Sequence, residues 1–554
     1  MKKIVFFFTA SLLVFSLTLS AQPKALQNTS KRPKLMVGIV VDQMRQEYLY
    51  RYESKFGEGG FKRLMREGFM LTNAHYNYAP TVTGPGHASV YTGTTPAIHG
   101  IIGNDYYDKE LKKMVYCVED PTQRMIGSTM SGGVSPWRML STTVTDELEL
   151  FTNKKAKVIG ISIKDRGSVL PAGHMADAAY FPEGRGGNFI TSSFYRNDLP
   201  EWVTKFNARN LPATYITKPW TPLLSIEQYT ESGPDDSPYE RKIGGKEKMT
   251  FPYNFAEMIA KGGGDVFAYS PYANDYVTEF AKAALVGEQM GKDEVSDFLA
   301  ISYSTPDILG HSVGPRSVEL QDLYMRLDRN IDDLLKALDK EVGVGNYTVF
   351  LSADHAVADV PQFMKDNKVP AGYFNDEYAL AKLNEYLATF YPGKRLIEKI
   401  SNEQVFLNHN AFDGDARTSG LDMFVVAELA GKFLMTLDGV ANYYTEAIIK
   451  QSDFDEGGLK GKIIRGHHAK RSGDIAFILE PGWFEGNSVQ GTTHGSPYAY
   501  DTHVPMLFFG HGVKQGTSSV YHPITDIAPT VSILLKIMFP NGCTGQPIAE
   551  LLKD

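Results

Sequence analysis

The chain has very little cysteine: Cys117 and Cys543 are the only two in 554 residues. A disulfide framework is therefore excluded. One bridge at most can form, and the sequence leaves open whether these two thiols approach each other. Long apolar stretches are scarce as well, and beyond the first two dozen residues no run could span a bilayer. Positive charge is in deficit, with 56 Lys and Arg against 64 Asp and Glu and a formal charge of −8. That balance argues against a nucleic-acid-binding surface. Internal repeats and low-complexity segments are missing too. At this length, with 43% hydrophobic residues, the expectation is one substantial core interrupted by insertions.

The one apolar exception is the start, Met1-Lys-Lys-Ile-Val-Phe-Phe-Phe8 through Leu19-Ser-Ala21. A basic beginning, an apolar stretch and small residues before Gln22 read as a cleavable secretory signal peptide, residues 1–21. No cysteine follows to carry a lipid, so residues 22–554 are expected to be periplasmic or secreted, with no stable membrane span. Removing Lys2 and Lys3 takes the formal charge from −8 to −10.

Three short runs rich in Val, Ile, Phe and Tyr, at Lys34–Val41, Phe298–Tyr303 and Tyr347–Ser352, read as buried parallel strands. An acid lies at or just past the end of each: Asp42, Asp307 and Asp354. His311 stands four residues after Asp307 within Thr305-Pro-Asp-Ile-Leu-Gly-His-Ser-Val-Gly-Pro315, His355 follows Asp354 directly, and His494 lies in Gly491-Thr-Thr-His-Gly-Ser-Pro497. In open α/β sheets, ligands gather beyond the carboxyl ends of the strands, so these six residues can converge although far apart in sequence. Three carboxylates and three imidazoles divide into two metal sites of three ligands each, and such O/N ligation without thiolate favours zinc. A D-x-x-x-H pair or a loop histidine alone is commonplace; the conjunction carries the reading of a two-metal hydrolase.

A nucleophile is also visible. Tyr78-Ala-Pro-Thr-Val-Thr-Gly-Pro-Gly-His-Ala-Ser-Val-Tyr-Thr92 reads as a loop entering a helix, with Thr83 near the N-cap and Pro85 in the first turn. A hydroxyl there faces free backbone N–H groups and the positive end of the helix dipole. Without the metal set Thr83 would be an ordinary capping residue; beside a metal its hydroxyl becomes a nucleophile.

With these residues assembled, the chain resembles the alkaline phosphatase superfamily, and within it the threonine-nucleophile branch, over roughly residues 34 to 550. The blocks that carry the resemblance are Val41-Asp-Gln-Met-Arg45, Thr83-Gly-Pro-Gly-His-Ala-Ser89, Pro306-Asp-Ile-Leu-Gly-His-Ser-Val-Gly-Pro315, Ser352-Ala-Asp-His355 and Thr493-His-Gly495. It implies one zinc held by Asp307, His311 and His494 and another by Asp42, Asp354 and His355, with Thr83 at the second metal.

The branch includes monoesterases, phosphodiesterases and nucleotide pyrophosphatases, so cations around the phosphate must distinguish them. Lys157–Ile163 reads as a strand with Lys164-Asp-Arg166 at its carboxyl end. If extended geometry persists, Lys164 and Arg166 face one side and Asp165 the other. Here the resemblance sharpens: Lys164, Arg166 and Asn104 of Gly100-Ile-Ile-Gly-Asn-Asp-Tyr106 match the phosphate-irrepressible, broad-specificity bacterial alkaline phosphatases. In these an Asn and a Lys-x-Arg pair bind the transferred phosphoryl group. The Cys/Ser-x-Pro-x-Arg signature of sulfatases is absent, as is a motif for the additional magnesium site of serine alkaline phosphatases.

The implied fold is α/β, a mostly parallel central sheet flanked by helices. The expected insertions are a loop-rich segment at about 175–265 and a cap at about 360–470, ending before a strand at Asp474–Leu479. Val318–Leu338 reads as a long amphipathic helix, Val504–Phe509 as a strand and Thr525–Met538 as a helix. The implied function is a secreted two-zinc phosphomonoesterase, a monomer that converts small phosphorylated metabolites to alcohol and inorganic phosphate through a phospho-threonine. The alternatives are a phosphodiesterase or nucleotide pyrophosphatase on the same core, or a non-catalytic exported protein that binds metal or phosphoglycan.

Overall fold

The computed structural model describes residues 32–261, 265–412, 421–486 and 488–553; the expected signal peptide lies outside them. Strand β1 (Leu35–Val41) carries no polar side chain and is buried along its whole length, so both of its faces must be covered. The strands β2 (Val158–Ser162), β3 (Asp297–Tyr303) and β4 (Tyr347–Ser352) are equally buried. Parallel pairing runs β4–β1–β3–β2. Beyond β4 the antiparallel strand β5 (His503–Gly510) continues the sheet towards Phe69–His75 and Gly516–Pro523; beyond β2 it continues through Ala178–Pro182, Phe189–Ser192 and Met125–Ile126. Ten strands thus form one sheet with a parallel centre.

Register explains the convergence of the acids. Val41 pairs with Tyr303 and Val40 with Ser352, so the residues that follow these strands leave the sheet at one edge. The Asp42 N–H still donates to the Tyr303 carbonyl at 3.1 Å. Helices cover the two faces. Among them are α1 (Thr83–Thr92), α2 (Asp165–Ala172), α3 (Thr305–Val313) and α4 (Val318–Leu338). Helix α4 has the bounds its leucine spacing predicts: Leu320, Leu323, Leu327, Ile331, Leu334, Leu335 and Leu338 are buried, and the Ser317 hydroxyl accepts from the Leu320 N–H.

Several expectations need correction. The segment expected to be loop-rich contains two strands of the main sheet, Ala178–Pro182 and Phe189–Ser192. The strand Ile475–Leu479 does not return to the main sheet; it lies in a separate four-stranded sheet with Ile397–Ser401, Gln404–Leu407 and Val440–Thr445. A short apolar run specifies a strand but not which sheet receives it, and here the choice follows from a second core built by Leu383, Leu387, Val426, Ile475 and Phe477. The last helix is shorter than expected, Ile527–Leu535, because Lys536 turns into the left-handed region (φ 53°) and ends it.

Helix α1 is positioned by backbone-to-backbone contact. A Cβ added to Gly86 would overlap the Asp354 carbonyl oxygen, and neither backbone can move aside cheaply. Gly86→Ala should therefore push α1 away from the turn after β4. We expect a loss of about 1–3 kcal/mol in stability, together with a fall in activity, measured by denaturant unfolding and turnover of the same preparation.

Candidate active site and metal centre

All six acid and histidine candidates meet at the carboxyl ends of β1, β3 and β4. Asp42 follows β1, Asp307 and His311 lie on successive turns of α3, and Asp354 and His355 follow β4. His494 arrives on a loop before β5. The His311 Nε2 lies 3.1 Å from Asp307 Oδ1 and the His494 Nε2 3.4 Å from the same oxygen. The His355 Nε2 lies 3.4 Å from Asp42 Oδ1 and 3.5 Å from Asp354 Oδ2. The His355 and His494 rings stack with centroids 3.4 Å apart.

The histidines are presented as ligands. Each donates from Nδ1 to a backbone carbonyl: His311 to Thr492 at 2.8 Å, His355 to Ala356 at 2.9 Å and His494 to Thr81 at 2.8 Å. That fixes the tautomer with an Nε2 lone pair turned towards the carboxylates, the arrangement that outer partners impose on metal-binding imidazoles. Asp42 Oδ1, Asp354 Oδ2 and His355 Nε2 are buried without a hydrogen-bond partner among the described residues. Ligand atoms fall within 4.8 Å of one another in two sets: Asp307 with His311 and His494, and Asp42 with Asp307 and His355. Asp307 thus reaches both sets, and Asp354 adjoins the second through Oδ2. Hard and borderline donors converging on buried, unpartnered atoms fit divalent cations.

The electrostatics agree. Burial and then the facing Asp42 push the Asp354 carboxyl well above the usual range. Burial and then His494 hold His355 well below its ordinary value. Burial opposes ionisation of Asp307 too, but His311 and Lys164 beside it hold that carboxyl well below the ordinary value.

Thr83 is the first residue of α1, 1% exposed, and its hydroxyl has no partner among the described residues. Asn104 accepts the Gly84 N–H on Oδ1 at 2.7 Å, which leaves its amide NH2 as the end free to donate. Lys164 and Arg166 depart from the alternating arrangement. Helix α2 begins at Asp165, so Lys164 is extended (ψ 128°) at its N-cap and Arg166 sits in the first turn. The Lys164 ammonium bridges two carboxylates, Asp42 Oδ2 at 2.6 Å and Asp307 Oδ2 at 2.5 Å. The Arg166 guanidinium donates to the Tyr116 hydroxyl at 3.2 Å and keeps a buried Nε without a partner.

Other residues of the site carry no sequence signal of their own. Gln43 adopts a left-handed backbone (φ 64°), which aims its N–H at Asp354 Oδ1 (3.1 Å) while its side-chain amide donates to Asp307 Oδ1 (2.6 Å). His87 lies 3.4 Å from Asp354 Oδ2 and donates from Nδ1 to the Thr83 carbonyl at 2.9 Å. Tyr116, held by Asp165, orients Arg166. The two cysteines are free thiols. Cys117 lies by Gly84 and Cys543 by Gly93, opposite ends of a helical segment about 13 Å long, which is too far for a bridge.

A cleft of about 250 Å3 opens over His311 and His494, with Asn104 on one wall and Asn402, Glu403 and Trp483 on another. Lys164, Arg166 and Tyr116 border an adjoining cleft of about 430 Å3. Asn104 lines the first and Asp105 the second, so this segment forms the partition between them.

Comparison with known proteins bears on this geometry. Residues 36–499 match the family model of type I phosphodiesterases and nucleotide pyrophosphatases. The chain is 44% identical to the alkaline phosphatase PafA of Elizabethkingia meningoseptica over 98% of each chain. It is 43% identical to the alkaline phosphatase PhoV of Synechococcus elongatus over 96% of this chain and 95% of that one. A solved structure of wild-type PafA superposes with a TM-score of 0.90 at 43% identity, covering 95% of this chain and all of the other. By sequence over most of its length and by the sheet that carries the ligand sets, the chain belongs to the type I phosphodiesterase / nucleotide pyrophosphatase family.

Proposed function

We propose that the protein is an exported alkaline phosphatase that hydrolyses phosphate monoesters through a phosphorylated Thr83. The observation that carries the reading is the buried, unpartnered Thr83 hydroxyl at the start of α1, beside two ligand sets and within one site with Asn104, Lys164 and Arg166. The similarity to two alkaline phosphatases over nearly the full chain supports the same activity. Export rests on the sequence of residues 1–21. Among the described residues, no helix is long and apolar enough to cross a membrane.

Zinc is the metal that the donor set favours, one ion on Asp307, His311 and His494 and one on Asp42, Asp354 and His355, with Asp307 also within reach of the second set. Bound there, the ions would supply Lewis acidity that favours an ionised hydroxyl and stabilises negative charge on oxygen. The chain's own groups do the rest. Asn104 donates its free amide N–H, and Arg166 and Lys164 offer charge, to the non-bridging oxygens of the phosphoryl group. The Thr83 hydroxyl gives up its proton and its oxygen attacks phosphorus opposite the ester oxygen; the P–O bond to the organic group breaks, and the departing alkoxide takes up a proton to leave as the alcohol. Water then attacks the phospho-threonine in the reverse sense, releasing inorganic phosphate and restoring the hydroxyl. The enzyme acts as a monomer on small phosphorylated metabolites.

A monoester presents three non-bridging oxygens, whereas a diester carries one charge fewer and a second organic group. Replacing Lys164 and Arg166 together with Ala should therefore damage monoester hydrolysis far more than diester hydrolysis. At roughly 1.5–3 kcal/mol for each charge-assisted hydrogen bond, the ratio of kcat/KM values should shift on the order of a hundredfold or more. Equal losses on both substrates would return the preference to a diesterase. Because Lys164 also bridges Asp42 and Asp307, zinc content of the variant must be measured alongside.

Two further outcomes test the chemistry. Thr83→Ala should lower turnover by orders of magnitude with Tm and bound zinc retained, and Thr83→Ser should keep part of the activity; a fully active Thr83→Ala enzyme would refute the nucleophile. Since Asp307 reaches both ligand sets, Asp307→Asn should deplete metal from both, while His311→Ala should deplete one. Elemental analysis after dialysis should show zinc falling further in Asp307→Asn than in His311→Ala, and identical losses would count against a shared carboxylate.

A further inference from the structure

Remote from the ligand sets, two glutamates are buried without the partners such groups require. Glu240 is 2% exposed and Glu319 fully buried. Both carboxyl oxygens of Glu240 and the Oε2 of Glu319 have no hydrogen-bond partner among the described residues. The Tyr253 hydroxyl donates to Glu319 Oε1 at 2.6 Å. One turn along α4, Asp322 shows the ordinary solution to the same burial. It accepts from Trp220 Nε1 at 2.6 Å, the Leu223 N–H at 2.7 Å and the Tyr229 hydroxyl at 2.5 Å, and pairs with Arg326 at 2.7 Å. Buried polar atoms that lack a protein partner are commonly served by water or an ion, and a carboxylate with both oxygens in this state points to a cation.

We infer that Glu240 and Glu319 form the core of a Ca2+ site that clamps the 231–253 loop to the start of α4. The donors are all oxygen, which selects a hard cation, and Ca2+ tolerates irregular coordination completed by carbonyls and water. Glu240 lines a cavity of about 270 Å3 whose wall includes Glu231, Ser232, Ser237 and Ser317. Protonation alone is a poor answer to the burial. Burial and then the neighbouring Glu319 push the Glu240 carboxyl up to about 11, but a neutral acid with no partner on either oxygen is still left unsatisfied.

The clamp reaches towards the active site. The Arg241 N–H donates to the Ser312 carbonyl at 2.8 Å, next to His311, and its guanidinium donates to the Gln490 carbonyl at 3.2 Å. The Gly491 N–H donates to the Tyr239 carbonyl at 2.9 Å and the Thr492 N–H to the His311 carbonyl at 3.0 Å. The loop anchored by Glu240 therefore braces both the turn that carries His311 and the segment leading to His494.

The test uses zinc-loaded enzyme and needs no turnover, so it stands or falls apart from the phosphatase reading. Tb3+ bound at the carboxylates should luminesce on aromatic excitation, because Tyr253 bonds Glu319 and Trp220 lies 5.1 Å from Tyr253 between ring centroids. Millimolar Ca2+ should quench that emission and raise Tm by about 2–5 °C. Glu240→Gln and Glu319→Gln should each abolish both responses. If these variants fail to fold, Trp220→Phe should cut the sensitised emission several-fold while preserving the thermal shift by Ca2+. Absence of Ca2+-displaceable emission in the native enzyme overturns the site. So do Gln variants that respond like the native protein, or emission unchanged by Trp220→Phe.

Discussion

Three carboxylates brought together away from water are the constraint on which the rest of the site depends. Asp42, Asp307 and Asp354 are all 3% exposed or less, and isolated charges in such a place cost several kcal/mol each unless compensated. The Lys164 ammonium compensates Asp42 and Asp307 together. Asp354 has no such partner, and its Oδ2 lacks any hydrogen bond among the described residues. Ionising it calls for a cation close by, and the imidazoles fixed by backbone carbonyls turn Nε2 towards the same place. Stability of the apo fold and capacity for metal are thus opposite readings of one electrostatic deficit.

Unusual backbone lies beside the same carboxylates. Gln43 holds a left-handed conformation that non-glycine residues rarely adopt, and its N–H is thereby aimed at Asp354. Such strain persists where the surroundings over-determine it. Close contact of α1 with the Asp354 backbone, possible because residue 86 is glycine, brings the Thr83 helix start to the same point. Helix dipole, unpartnered hydroxyl and carboxylates then share one small volume, and no member of the set can shift without disturbing another.

Much of this was legible in the sequence because apolar runs buried on both faces are unmistakable, and an acid after such a run marks the carboxyl edge of a sheet. Asp42, Asp307, His311, Asp354, His355, His494, Thr83, Asn104, Lys164 and Arg166 do lie around one region. What the sequence could not carry was local geometry that depends on where a helix starts. The pair Lys164 and Arg166 looked like alternating strand residues, yet α2 begins between them and sends the lysine to two carboxylates and the arginine to Tyr116. Gln43, His87 and Tyr116 were silent for a related reason: their roles come from tertiary neighbours hundreds or tens of residues away, not from any spacing. Ile475–Leu479 was recognised as a strand but joins the smaller sheet, since pairing partners are chosen by packing.

In the phosphatase reading, the two clefts divide the labour of the site. On one side Arg166 brings positive charge to the cleft, beside a Lys164 ammonium already held by Asp42 and Asp307. On the other, over His311 and His494, the wall is formed by Asn402, Glu403, Trp483 and Glu485, a mixture of aromatic and carboxyl groups beside the smaller sheet. Burial and then Glu485 hold the Glu403 carboxyl well above its usual range, and burial followed by Asp376 pushes Glu485 up to about 8. The Glu485 Oε1 accepts from the Glu403 N–H at 2.7 Å, so the two carboxyl groups are held together on this wall. In the phosphatase reading, recognition is concentrated on phosphate, and the leaving group is tolerated and not selected.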